Sequence, residues 1–111
     1  MLKQPKIKDK SHRRWVATLD CCACGVGDLS QAAHIKDGSG TAGAGDDQVV
    51  PLCCNSPDRV GCHHRQHMMW SEEKFWKDYG GIEKALELGK SLYQHSGNDN
   101  VGKLLVWENR T

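Results

Sequence analysis

The sequence predicts a small α+β domain with two short strands, several helices and a thin core. Cysteine and histidine are concentrated in two clusters, residues 21–24 and 53–67, with His34 between them. Two short strand-like runs, residues 30–35 and 48–52, lie between the clusters. From residue 62 onward, apolar positions recur at helical spacing.

The first helix is expected from about Ser11 to Leu19, with Ser11 as its cap and Trp15 and Val16 on its buried face. Residues 30–35 follow as a strand that ends near His34. Residues 37–47 are rich in glycine and predict a loop between two strands. They lack the lysine and hydroxyl residue of a phosphate-binding loop, so a nucleotide site is not expected.

The second strand, residues 48–52, has a β-branched pair, and Pro51 is tolerable near its end. Residues 62–70 predict a helix with His63 and His67 on one face. A further helix begins at Ser71 and stops at the glycine pair 80–81. A last helix covers about 82–95, and residues 98–111 are interpreted as a tail that is apolar enough to pack.

A chain of 111 residues forms one domain that can bury only a modest core without a cross-link. The six cysteines allow three disulfides as one alternative. Residues 1–6 contain no apolar run typical of a secretory signal, and no stretch could span a membrane, so we expect a reducing cytoplasm and no membrane partner. In that compartment thiols stay reduced, and the adjacent cysteine pairs 21–22 and 53–54 fit a metal site with two spare thiols better than they fit a disulfide framework.

The cysteine spacing indicates one tetrahedral zinc site. Cys21 and Cys24 have the two-residue gap typical of a zinc knuckle, and Cys53 and Cys62 could complete four thiolate ligands. Cys22 and Cys54 compete with their neighbours as ligands. Iron–sulfur chemistry is disfavoured because the spacings match no ferredoxin pattern.

The histidines suggest a second site. His34 on a strand, followed by His63 and His67 one helical turn apart, is an arrangement that holds a divalent ion at a phosphate, with the strand histidine as base toward water. His12, His64 and His95 are interpreted as solvent-facing or locally hydrogen-bonded, with His64 as a candidate phosphate contact.

Five short motifs in this order resemble the HNH nucleases with the ββα-metal (His-Me finger) fold, particularly small phage and prophage members allied to RecA-dependent nucleases. They lie within residues 11–80. The motifs are Cys21-x-x-Cys24, Ala33-His34-Ile35, the glycine-rich loop, Val50-Pro51-Leu52-Cys53 and Cys62-His63-x-x-x-His67. The resemblance implies an HNH-like domain over 11–80. The charge distribution adds a basic arm over 1–10, and the apolar pattern adds a C-terminal helix over 81–97 that packs on the domain.

The resemblance also implies the chemistry. His34 would be the general base, His63 and His67 would bind a catalytic Mg²⁺ or Mn²⁺ ion, and the structural Zn²⁺ would be held by four cysteines, Cys21, Cys24, Cys53 and Cys62. The expected reaction is one-metal hydrolysis of a phosphodiester in DNA. It would take place during phage or prophage recombination in the cytoplasm of a bacterial host, with a recombinase or other DNA-bound protein as a further partner.

Two positions depart from the family pattern. Ala33 stands where many relatives carry a metal ligand, and Asp37, Asp46, Asp47 or water would take that place. Gln48 stands near the family's asparagine, and the resemblance gives it the task of orienting the base.

The first fourteen residues contain six basic side chains and one acidic side chain. This composition fits either a solvated tail or an arm that contacts phosphates. Beside a nuclease site, the expected nucleic-acid contacts are Lys10, Arg13, Arg14, Lys36 and Arg65. The competing interpretation of the whole chain is a non-catalytic zinc module that binds nucleic acid or protein.

Overall fold

The computed structural model describes residues 8–35, 45–58, 60–68 and 72–110. Its helices and strands are α1 (Lys10–Val16), β1 (Ser30–His34), β2 (Val49–Cys53), α2 (Cys62–Met68), α3 (Glu72–Lys77), α4 (Ile82–Gln94) and α5 (Asp99–Arg110). A 3-10 turn, Asp46–Gln48, precedes β2. The described residues thus form a small α+β protein with five α-helices and one two-stranded antiparallel sheet. None of these helices has the length and apolar character needed to cross a bilayer.

Helix α1 begins at Lys10 because Asp9, and not Ser11, is its cap. The Asp9 carboxylate accepts a hydrogen bond from the His12 amide at 3.0 Å, which satisfies an amide that has no partner within the helix. The His12 ring, expected at the surface or in a local hydrogen bond, is 1% exposed, and its Nδ1 lies 2.7 Å from Ser96 Oγ, far along the chain. His12 therefore ties α1 to the turn after α4.

The hairpin pairs Ser30 of β1 with Cys53 of β2 and, at its other end, His34 with Val49. All five residues of β2 are buried. Pro51 lies in the middle of β2 rather than near its end, opposite Ala32. Its carbonyl accepts a hydrogen bond from the Cys22 amide at 2.9 Å, on the edge away from β1. The proline therefore sits where the ladder with β1 requires no N–H.

Helix α2 begins at Cys62 as the sequence predicted and ends at Met68. The expected continuation to Trp70 and the Ser71 cap lie outside the described residues. Helix α3 buries Phe75 and Trp76. Gly80 and Gly81 have φ values of +96° and +93°, a region that glycine adopts without steric cost, so the chain turns there into α4.

Helices α4 and α5 complete the core. Gly89 brings α4 against the start of β2, since a Cβ added at Gly89 would lie 3.4 Å from Gln48 Cα. Residues 98–111 were expected to form a tail, but helix α5 covers most of them. Its Val106 is 2% exposed. The buried apolar side chains form one cluster that includes Leu19, residues of the hairpin and Val106. Trp15 of α1 packs against this cluster, so α1, the hairpin and the C-terminal helices share one core.

Candidate metal centre

Four cysteines from three separate parts of the chain meet at one point. Their Sγ atoms all lie within 4.8 Å of one another, and they belong to Cys21, Cys24, Cys53 and Cys62. The first two are on the turn after α1, and the others are at the end of β2 and the start of α2. The cluster therefore joins the first turn, the hairpin and α2.

The spacing of the sulfurs suits a tetrahedral metal ion. Zinc–sulfur bonds of about 2.3 Å place two sulfurs of a tetrahedron about 3.8 Å apart. The Sγ atoms of Cys24 and Cys53 are 3.7 Å apart. A disulfide would need about 2.05 Å, and none of the six cysteines is in a disulfide bond. The cluster is compatible with a structural metal such as zinc, and the structure contains no disulfide framework.

Backbone amides are directed at the sulfurs. The Cys24 amide donates to Cys21 Sγ at 3.5 Å, and the Cys62 amide donates to Cys53 Sγ at 3.3 Å. Gly61, just before α2, packs against the backbone of Cys54 so closely that an added Cβ would meet the Cys54 carbonyl carbon at 2.3 Å. The Gly61 amide is held by Asn55 Oδ1 at 2.8 Å. The two amides that donate to sulfur, those of Cys24 and Cys62, would orient and stabilise thiolate ligands.

The thiols perturb one another strongly. A hydrogen bond from Cys62 lowers the pKa of the Cys21 thiol, helped by backbone amides and opposed by burial. The same hydrogen bond, together with burial and the charge of Cys21, raises the pKa of Cys62. Burial raises the pKa of Cys53. A cation bound to the four sulfurs would displace the remaining protons and stabilise the thiolate forms.

The two spare cysteines lie outside the cluster. Cys22 is 2% exposed within the core, and burial raises the pKa of its thiol far above the usual range. Cys54 is half-buried and lines a separate cleft. Neither replaces one of the four clustered ligands.

The cleft, about 360 Å³ in volume, lies beside α2 and the hairpin. Its walls are formed by Gln31, Cys54, Asn55, His63, His64 and His67. The ring centroids of His63 and His67 are 4.9 Å apart, as their spacing on one helical face predicted. His63 Nδ1 lies 2.9 Å from Gln31 Oε1. Because an amide oxygen only accepts, Nδ1 carries the proton, and Nε2 retains the lone pair that a metal binds.

Burial lowers the pKa of His63, and the nearby imidazoles of His67 and His34 lower it further. These three histidines are thus close enough to interact electrostatically, although their ring nitrogens are not close enough for all three to bind one ion. Among the residues that the structure describes, the four cysteines are the single group of three or more side chains placed to share an ion.

His34 is held by a carboxylate that the sequence had considered as a metal ligand. Asp46 Oδ1 lies 2.7 Å from His34 Nε2. Asp46 Oδ2 accepts a hydrogen bond from the Asp9 amide at 2.7 Å and forms an ion pair with Arg13 Nε at 3.0 Å. Burial raises the pKa of Asp46, but these hydrogen bonds and the charge of Arg13 outweigh it, so the pKa lies below its usual value.

Several predicted contacts take other positions. Asp46, rather than Gln48, contacts the His34 ring, while the Gln48 carbonyl accepts a hydrogen bond from the Ile35 amide. Arg13, predicted to contact DNA, pairs with Asp46. Arg65 donates to Tyr79 Oη at 3.1 Å and lies over the Phe75 ring.

The remaining predicted DNA contacts are less constrained. Lys10 and Arg14 lie exposed on α1. Lys36 lies outside the described residues.

The fold and the cluster define a small α+β protein with a four-cysteine group able to bind a metal such as zinc. Compared with known protein families, curated proteins and solved structures, the chain matches none of them.

Proposed function

We propose that the protein is a metal-dependent endonuclease of the HNH type that hydrolyses phosphodiester bonds in DNA. The order of elements supports this proposal. A two-stranded hairpin, β1 and β2, is followed directly by α2, and the four-cysteine cluster fastens the end of β2 to the start of α2. The hairpin carries His34 and the helix carries His63 and His67, as in the family that the sequence resembles.

The observation that carries the proposal is the histidine pair on α2. Its two rings face an open cleft, with centroids 4.9 Å apart, and Gln31 of the hairpin fixes the His63 ring. Two imidazoles at one turn of a helix, with room for water and a phosphate, suit a catalytic ion with open coordination positions. His63 and His67 would hold a Mg²⁺ or Mn²⁺ ion, which would offset negative charge on the scissile phosphate.

The chain's own residues would perform the remaining steps. His34 would take the proton of the attacking water, a task suited to an imidazole because its ring nitrogens can both accept and release protons. Lys10 and Arg14, exposed on α1, would contact phosphates without reading sequence. On the sequence resemblance, the setting would be phage or prophage DNA recombination in a bacterial cytoplasm, with a recombinase or other DNA-bound protein as partner.

A second candidate is a non-catalytic zinc module that binds nucleic acid or protein. It is favoured by the absence, among the described residues, of a third protein ligand beside His63 and His67. Under this alternative the histidines would bind no exchangeable ion.

Metal stoichiometry and cleavage separate the two candidates. Purified protein is analysed for zinc and for a second, exchangeable Mn²⁺, and is then incubated with supercoiled plasmid and with single-stranded DNA in Mg²⁺ or Mn²⁺. A nuclease should hold one zinc per chain, bind Mn²⁺ in a manner lost in His63→Ala and His67→Ala, and cleave at least about 100-fold faster than His34→Ala. His95→Ala, in an exposed turn after α4, is the matched control.

Equal cleavage by wild type and His34→Ala would refute His34 as the base. One tightly held zinc, no Mn²⁺ binding and intact DNA would favour the non-catalytic module.

A further inference from the structure

We propose that Asp46 is the positioning residue of His34. Its carboxylate fixes the imidazole in the tautomer with the proton on Nε2, so that Nδ1 is the nitrogen that accepts the proton of the attacking water. The catalytic part of this assignment rests on the proposed nuclease function. The tautomer itself is a property of the folded chain.

The contact is short and sheltered. Asp46 Oδ1 and His34 Nε2 are 2.7 Å apart, a distance typical of a charge-assisted hydrogen bond. Asp46 is 5% exposed, so water competes little for its oxygen. The two residues approach because the hairpin pairs His34 with Val49, directly after the 3-10 turn that carries Asp46.

The carboxylate cannot easily turn away from His34. Its second oxygen, Oδ2, is engaged by the Asp9 amide at 2.7 Å and by Arg13 Nε at 3.0 Å. Asp9 is itself the cap of α1, so the beginning of that helix sets the direction of Oδ1. The Asp9 amide can only donate and the Arg13 guanidinium is a cation, and both favour an ionised carboxylate. An ionised carboxylate only accepts, so Nε2 of a neutral His34 must carry the proton.

The opposite nitrogen is left available. No described residue forms a hydrogen bond with His34 Nδ1, and the side chain is 39% exposed. The His34 carbonyl accepts a hydrogen bond from Gln66 Nε2 at 3.3 Å, which fixes the backbone from the side of α2. The ring therefore has one nitrogen bound to Asp46 and a second nitrogen, without a partner among the described residues, that would accept a proton from water.

The proton balance is complete. Water gives a proton to Nδ1 as its oxygen forms the bond to phosphorus, and the bond from phosphorus to the leaving 3′ oxygen breaks. The leaving oxygen takes a proton from solvent, and the imidazolium later releases its Nδ1 proton to solvent. Asp46 remains ionised throughout and stabilises the positive ring. An amide at this position would instead donate to Nε2 and favour the opposite tautomer.

Nitrogen-15 NMR of histidine-labelled protein tests the inference, because long-range proton–nitrogen spectra distinguish a protonated ring nitrogen from an unprotonated one. Wild-type His34, assigned by its loss in His34→Ala, should show a protonated Nε2 and an unprotonated Nδ1 when neutral. Asp46→Asn should shift the ring toward a protonated Nδ1. Asp47→Asn, which removes the neighbouring carboxylate of the same turn, should leave the ring signals as in the wild type.

The kinetic prediction is separate. Asp46→Asn should lower kcat by at least about 100-fold while KM for DNA changes by less than about threefold. A protonated Nδ1 in wild-type His34 would overturn the inference even if Asp46→Asn failed to fold. An unchanged tautomer with full activity in Asp46→Asn would overturn it and leave the nuclease proposal intact. The expected tautomers without DNA cleavage by the wild type would support the Asp46 contact and overturn the nuclease proposal.

Discussion

Gly102 of α5 lies against the indole ring of Trp15 in α1, so that a Cβ added at Gly102 would come within 2.5 Å of Trp15 Cζ2. The same indole donates its Nε1 hydrogen to Asp99 Oδ1 at 2.8 Å, which holds the ring at the start of α5. Gly102→Ala should therefore destabilise the protein by about 1–3 kcal/mol, although alanine favours a helix by up to about 1 kcal/mol. Urea unfolding of the zinc-loaded protein measures the change.

Asn100→Ala is the control for this substitution, since Asn100 is exposed on the same helix. It should leave the free energy of unfolding unchanged or slightly increased. A Gly102→Ala protein as stable as Asn100→Ala would show that α1 and α5 do not approach this closely.

Loss of one clustered thiol should abolish stoichiometric zinc. Cys24 is the exposed member of the cluster, so Cys24→Ser removes a ligand with little change to the apolar core. Structural zinc in small domains contributes about 10–16 kcal/mol of apparent binding free energy, and this energy stabilises the fold. Cys24→Ser should therefore contain much less than one zinc per chain and should melt at a much lower temperature.

Cys54→Ser provides the matched comparison, because Cys54 adjoins Cys53 but lies outside the cluster. It should retain one zinc per chain and nearly wild-type stability. Zinc loss in Cys54→Ser together with full zinc in Cys24→Ser would mean that the wrong sulfur has been assigned. Elemental analysis measures the zinc content of both variants, and thermal unfolding with and without a chelator measures their stability.

Buried His12 should make the fold sensitive to mild acid. Burial lowers the pKa of His12, although the charges of Asp9, Asp46 and Asp47 oppose this in part. In the unfolded chain the pKa of a histidine is about 6.5. As the pH falls below that value, the unfolded state gains a proton that the folded state does not, so the free energy of unfolding decreases. The stabilisation that neutral His12 gives is fully present above that pH.

His12→Gln removes this titration. The free energy of unfolding of the wild type, measured relative to His12→Gln in urea with saturating zinc, should fall steadily from about pH 7 to about pH 5. Protonation of the cysteine ligands affects both proteins and largely cancels in the difference. A difference independent of pH would contradict the burial of a neutral His12.

The proposed nuclease function predicts that the exposed basic side chains of α1 contribute to DNA binding through charge alone. Changing both Lys10 and Arg14 to alanine should weaken binding to all DNA sequences and reduce the slope of log K against log salt by about 2. Lys90→Ala, on the exposed side of α4, should leave the slope unchanged. The same slope in the double variant and the wild type would exclude α1 from the interface.

The sequence predicted the hairpin and α2 well because their signals are local. The runs around His34 and Val50 have strand character, and the spacing of His63 and His67 requires a helical face. The cysteines could be grouped because zinc knuckles have a fixed spacing and because tetrahedral coordination needs four ligands. The two spare thiols could not be excluded from sequence, since only the fold shows that Cys22 is buried in the core and that its sulfur is not one of the clustered four.

The contacts between distant segments could not be predicted in the same way. The sequence predicts Ser11 as the cap of α1, whereas the structure has Asp9. Both are good capping residues, and Asp9 is also held by the hydrogen bond from its amide to Asp46, a distant contact that the sequence does not reveal. The Asp46–His34 contact depends on how the glycine-rich segment closes, and glycine leaves that path undetermined. It could have been suspected from the hairpin register, which brings the residues just before Val49 toward His34.

The position of Pro51 has a consequence for how copies of this chain behave toward one another. A two-stranded sheet normally presents open backbone donors and acceptors that can recruit a strand from another molecule. Here the outer edge of β2 lacks a donor at Pro51, and the Cys22 amide already occupies the Pro51 carbonyl. The turn that carries two cluster cysteines thus also shields the sheet, so removal of a metal bound by this cluster should promote aggregation as well as unfolding.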